Sequence, residues 1–209
     1  MTRSASELGI PAARVVRWVD NFVARHGRTI LAVDAGELTG RAADGSMFIA
    51  ALPFGGAYAG EPDAAAFAAA AAPPPDWGVL LVRKGGFAVA RLRGSELVAH
   101  KIGQRHVQGR SKAGGWSQQR FARRRAHQAR EAYEAAADHA ARLLAGVAGP
   151  VVTGGDHRAV DEVLDDPRLH DLRRGGPWLA VPDPKRDTLD RAIAEAMSVR
   201  IEVLNADAS

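Results

Sequence analysis

The sequence predicts an α/β chain of the α+β kind: a mixed β-sheet flanked by helices, with a small N-terminal α+β unit in front. Three observations lead there. Apolar residues recur at helical spacing in several segments, short glycine-punctuated β-like runs alternate with them, and an alanine- and proline-rich stretch divides the chain. The 209 residues, 46% of them hydrophobic, are enough to enclose a real core.

Residues 11–26 place Val15, Val16, Val19, Phe22 and Val23 at helical spacing, with Pro11 near the start and Gly27 after the end. Residues 29–33 and 47–52 read as β-like runs, broken by Gly36, Gly40 and an Asp44-Gly45 turn signal. Asp63 is suited to cap a short alanine helix that Pro73, Pro74 and Pro75 must end. The domain boundary is expected there, with an N-terminal unit and its Ala/Pro linker in 1–72 and a second domain in 77–205. After the boundary, three strands joined by turns at Gly85-Gly86 and Gly94-Ser95 predict an antiparallel meander.

The longest predicted helix runs from Gln118 to Ala145, with Phe121, Ala129, Ala132, Tyr133, Ala136, Ala140, Leu143 and Leu144 as its buried stripe. Then follow a β-like run ending at Gly154-Gly155, a helix over 157–164 with Asp156 as N-cap, a strand at 178–181, a helix over 187–198 and a last strand at 199–203. Alternation of this kind predicts a layered domain whose second half is partly parallel.

The chain has no cysteine, which removes disulfides, thiolate nucleophiles and cysteine-ligated zinc and fits a reducing, cytoplasmic location. No apolar run approaches the roughly 20 residues that span a bilayer, and the first residues lack a signal-like apolar core, so no membrane partner is expected.

The formal charge of +4 is unevenly spread. From Leu97 to Arg130 there is no Asp or Glu, while Lys101, Arg105, Arg110, Lys112, Arg120, Arg123, Arg124, Arg125 and Arg130 all fall inside. Such a block calls for an anionic partner, most commonly nucleic acid. Within it, Gly114 and Gly115 let the backbone lie close against another surface. Ser117 is suited to cap the helix behind them, and the arginines one turn on extend the positive field of the helix N-terminus toward phosphate. Gln118 and Gln119 stand at the junction, where a neutral amide can orient a water but cannot act as a general base. The plainer reading, a solvated glycine loop ahead of an RNA-binding basic helix, stands beside this one.

The run "GGWSQQRFARRR" resembles the catalytic segment of the eukaryotic and archaeal class-1 translation release factors, where a GGQ tripeptide is followed by Ser, two variable residues and an RFAR-type helix start. Gly114, Gly115, Ser117, Arg120, Phe121, Ala122, Arg123 and Arg125 fall on that pattern without gaps. The later "GPVVTGGDHRAVDEVL" resembles the strand, glycine turn and helix of the same domain, and the likeness covers about residues 77–205. Trp116 stands where that family has its glutamine, and glutamines follow at Gln118 and Gln119. This is similar to the stalled-ribosome Vms/ANKZF-like, VLRF-type branch, in an actinobacterial-like bacterial form.

The resemblance implies a release-factor middle-domain-like fold and hydrolysis of peptidyl-tRNA on the large ribosomal subunit, freeing a stuck nascent chain in ribosome rescue or quality control. It implies Gln118 first, and Gln119 second, for the catalytic amide, presented by Gly114 and Gly115. Arg120, Arg123, Arg124 and Arg125 would hold rRNA or tRNA phosphate, and Lys101, Arg105, Arg110 and Lys112 would line the approach. Trp116 would stack on an exposed base or fold back on the helix. For residues 1–72 the expected partner is a protein or a feature of the stalled complex.

Two further readings stay open: a non-catalytic ribosome- or tRNA-binding module, and a tRNA 3′-end nuclease using Asp34, Glu37, Asp156 and Asp161. Turn and cap roles account more simply for Asp34 and Asp156. The seven histidines show no HExxH or comparable pair, and neither a GxxxxGK[ST] nor a GxGxxG motif occurs. No metal and no cofactor are expected.

Overall fold

A computed structural model describes residues 5–104 and 116–206, with the backbone alone for Ala5 and residues 116–129. Contacts divide the chain into two units, Met1–Pro73 with Ala194–Ser209, and Pro74–Ile193.

The first unit is a five-stranded, wholly antiparallel sheet. It contains β1 (Ala5–Pro11), β2 (Thr29–Asp34), β3 (Glu37–Ala42), β4 (Met47–Ala51) and β9 (Ser198–Leu204), in the order β1-β9-β4-β3-β2. Its helices are α1 (Val15–His26) and α2 (Ala64–Ala70). Asp63 caps α2 as expected, accepting from the N–H groups of Ala65 at 3.0 Å and Ala66 at 2.8 Å. Val15, Phe22, Leu38, Phe48, Phe67 and Ile201 form the core. Phe48 meets Trp18 and Phe22 edge-on, with ring centroids 5.2 and 5.0 Å apart. Gly40 is its cross-strand partner, and a Cβ there would run into the Phe48 ring, so the glycine that reads as a strand breaker is what lets the ring lie across the sheet.

Three features of this unit differ from expectation. Neither β1 nor β3 was anticipated: β1 is an edge strand with mostly exposed residues, so "ASELGIP" shows no alternation, and Gly40 interrupts the pattern of β3. The final strand, expected inside a domain spanning 77–205, instead lies between β1 and β4. Val199, Ile201 and Val203 point their buried side chains into the first unit's core, which is what draws the strand there.

The second unit is a four-stranded sheet in the order β7-β6-β5-β8. It comprises β5 (Trp77–Arg83), β6 (Gly86–Arg93), β7 (Glu96–Gln104) and β8 (Val151–Gly155). The first three form the expected meander, and β8 pairs with β5 in parallel, making the sheet mixed. β5 is buried along nearly its whole length, in keeping with a continuous apolar run in a covered central strand. On one face Leu80, Val82, Phe87 and Val89 pack with Tyr133, Ala136, Ala140 and Leu144 of the long helix α3 (Trp116–Leu143) and its end, and with Val160 and Val163 of α4 (His157–Leu164). Asp156 caps α4 through the N–H groups of Arg158 and Ala159. The last helix is α5 (Arg186–Ala196). The strand expected at 178–181 is not one: Leu179 makes a single parallel bridge to Gly154, and the flanking Pro177 and Pro182 supply no further donors.

Candidate functional site

The basic segment joins the end of β7 to the start of α3. Four structural features meet at that end of the second sheet: the β5–β6 turn with Lys84, the end of β7 at Gln104, the end of β8 at Gly155, and the first turn of α4. Gly86 is paired with Gln104, so the β5–β6 turn sits beside the point where the chain leaves the sheet. Gly155 is left-handed at φ 105°, and a Cβ on it would strike the carbonyl of Val82; the tight turn into α4 therefore needs glycine.

Helix α3 is 28 residues long, about 42 Å at 1.5 Å per residue. Among the described side chains of α3, the first buried one is Ala132, which lies beside Gly86 and Gln104 in the outermost rows of the sheet. Sixteen residues of helix, about 24 Å, precede Ala132. Its first turn holds no acid and the first carboxylate after Leu97 is Glu131, so the charge of the helix N-terminus and that of the arginines add without internal neutralisation from this stretch of sequence.

The expected site residues divide accordingly. Trp116, Ser117, Gln118, Gln119, Arg120, Arg123, Arg124 and Arg125 fall on the first turns of α3. Arg105, Arg110, Lys112, Gly114 and Gly115 lie outside the described residues. Lys101 is exposed on β7.

The far end of α3 is firmly held. Asp76, just ahead of β5, accepts from Arg91 Nε and Nη2, both at 3.0 Å, and from the Ala148 N–H at 3.2 Å; Arg91 Nη1 donates to the Ala145 carbonyl at 2.9 Å. The Arg91 guanidinium, helped by that N–H, holds the Asp76 carboxyl below its ordinary range against the opposing effect of burial. The helix thus has a fixed C-terminal root and a basic N-terminal half.

Sequence reasoning missed a cleft of about 180 Å³ on the α3 face, at the root of the basic segment. Gly86, Phe87, Lys101, Gly103, Gln104, Ala132, Ala135 and His139 line it. His139 packs against Phe87, with ring centroids 5.5 Å apart, and its Nδ1 accepts from Arg142 Nη2 at 2.9 Å. Burial first, then the charges of Arg142 and Lys101, push its pKa below the ordinary histidine value. The only sequence signal for this cleft is a scatter of glycines and alanines on three separate elements.

Among the described residues no three His, Asp or Glu side chains gather as a metal site. Asp34 and Glu37 face each other across the β2–β3 turn, Asp156 is occupied as a helix cap, and Asp161 pairs with Arg174 at 2.9 Å. No described helix is long and apolar enough to cross a membrane.

Compared with known proteins, residues 75–202 match the family model described as Actinobacteria/chloroflexi VLRF1 release factor. No curated protein matches the chain.

Proposed function

From a chain that belongs to the VLRF1 release factor family of Actinobacteria and chloroflexi, whose model covers more than half of it, we propose a ribosome-directed peptidyl-tRNA hydrolase that frees nascent chains from stalled large subunits. The observation that carries this reading is the placement of the basic, glycine-bearing segment: it links the end of β7 to the front of a 28-residue helix rooted at its other end.

The ester between peptide and tRNA is intrinsically labile. A factor that seats a water near the carbonyl and stabilises the developing negative charge supplies most of what hydrolysis needs. Gln118 is the first choice for that role and Gln119 the second; an amide donates and accepts together, which suits holding a water. Arg120, Arg123, Arg124 and Arg125 hold phosphate and set how deep the helix enters, while Gly114 and Gly115 permit close approach to RNA. The ribosome completes the reaction chamber.

The test is release of labelled peptide from large subunits loaded with peptidyl-tRNA. Replacing the acting glutamine by alanine is expected to slow release by about 10²–10³-fold, the scale of losing one positioned polar group, with subunit co-sedimentation kept. Equal release from wild type, Gln118→Ala, Gln119→Ala and Gly115→Ala would remove the assignment. Salt-sensitive binding without release would favour a non-catalytic module, and a cleaved tRNA 3′ end a nuclease.

A further inference from the structure

The cleft at the root of the basic segment lies outside the glutamine-bearing turn and has features that the hydrolytic reading does not use. Its floor is Gly86 and Gly103, which are cross-strand neighbours one register step apart at the start of β6 and the end of β7. Phe87 lies over Gly103, where a Cβ would run into its ring, so the glycine sets where the aromatic wall stands. Ala132 and Ala135 present only methyl groups from α3. Small residues on three elements therefore keep open a space of about 180 Å³ beside a Phe87–His139 pair. That is below the ~300–1,000 Å³ of drug-sized pockets and suits one flat ring system.

The polar rim is cationic. Lys101 lines the cleft and makes no ion pair among the described residues. Asp138, next to His139, is engaged by Arg168 at 2.8 Å. His139 accepts a hydrogen bond from Arg142 at Nδ1, so its neutral ring carries any proton on Nε2. Gln104 adds an amide that can donate to or accept from a base edge. Lys84 stands on the turn next to this cleft and Lys101 on its rim.

We propose that this cleft is a single-nucleotide subsite for unpaired RNA, in which a base inserts between the glycine floor and α3 beside Phe87 and His139 while Lys101 binds its phosphate. A base has a π-face for an aromatic wall and polar edges for Gln104, and its phosphate answers the Lys101 ammonium, which has no ion-pair partner among the described residues. A lone apolar side chain would use the aromatic wall but offer nothing to Lys101. The subsite extends the ribosome-directed reading by giving the factor a grip on an unpaired RNA residue apart from the reacting ester.

The test uses the full chain without ribosomes, so that its failure and a failure of peptide release are told apart. The His139 ring signals are followed by NMR while AMP is added. They are expected to shift saturably with AMP and much less with ribose 5-phosphate. Ala135→Leu, which fills the cleft from a partly exposed helix position, is expected to abolish the shift, and Lys101→Gln to weaken binding about fivefold, the equivalent of one modest contact. If Ala135→Leu melts below wild type, the surface change Lys101→Gln carries the test. Signals that do not move with AMP, unchanged AMP affinity in both variants, or a response to N-acetyl-tryptophanamide in place of AMP would overturn the proposal.

Discussion

Replacing Asp76 by alanine severs the root of α3, and the cost can be worked out from its contacts. Asp76 accepts two hydrogen bonds from one face of Arg91 and a third from the Ala148 N–H, while Arg91 also holds the Ala145 carbonyl just past the helix end. The side chains are 22% and 27% exposed, so the pair lies between two regimes. Exposed pairs contribute about 0–1 kcal/mol, and breaking fully buried ones costs about 3–5 kcal/mol. Allowing for solvent screening, the loss is about 2 kcal/mol, which lowers Tm by about 4–8 °C for a chain of this size unfolding in one transition. Arg91→Ala and the double variant close a cycle whose coupling is expected to be about 1–2 kcal/mol. Because the Asp76 pKa is depressed in the fold, its contribution is present above the unfolded value of 3.8 and is lost as pH falls through the lower folded value. Thermal melts of the four proteins at neutral and acid pH provide the measurement. A Tm change under about 1 °C, with no coupling and an unchanged pH profile, refutes the reasoning.

Other outcomes follow from single residues. Ala35 sits at φ 49° ahead of Gly36 at φ 83° in the β2–β3 turn, so Ala35→Asn, which tolerates that backbone better, is expected to stabilise by about 0.5–1 kcal/mol in urea melts. Gly155→Ala meets both the φ of 105° and the Val82 carbonyl, and is expected to cost more than about 2 kcal/mol by the same measurement. The pKa of His139 is depressed, so its neutral form fits the fold fully above the unfolded value of 6.5, and stability falls as pH drops below that value; His139→Gln is expected to flatten the decline between about pH 7 and 5. Asp166 is held down to about 2 by Arg168, and an NMR titration of Arg168→Gln is expected to return its midpoint toward the ordinary aspartate range.

Local signals carried much of this fold into the sequence. The meander, the long helix, and the caps Asp63 and Asp156 were legible because each rests on neighbours within a few residues. The edge strand β1 was hidden because its exposure erases alternation, and the placement of β9 was hidden because nothing in "SVRIEVL" names its pairing partners. The 178–181 segment misled for the opposite reason: its apolar residues are sheltered under a single bridge. The charged segment announced itself through composition. The cleft at its root did not, since it is defined by side chains that are small and that come together only when β6, β7 and α3 do.

The position of β9 also bears on the order in which the molecule comes into being. A strand made last lies inside a sheet whose other members are made first, so the early unit must wait, with a vacant slot between β1 and β4, until residues 198–204 have emerged. The middle of the chain has no such dependence and is free to fold ahead of it. In a growing copy the unit Pro74–Ile193 would be complete before the unit that closes on β9, and a copy whose own synthesis stopped early would carry the former without the latter.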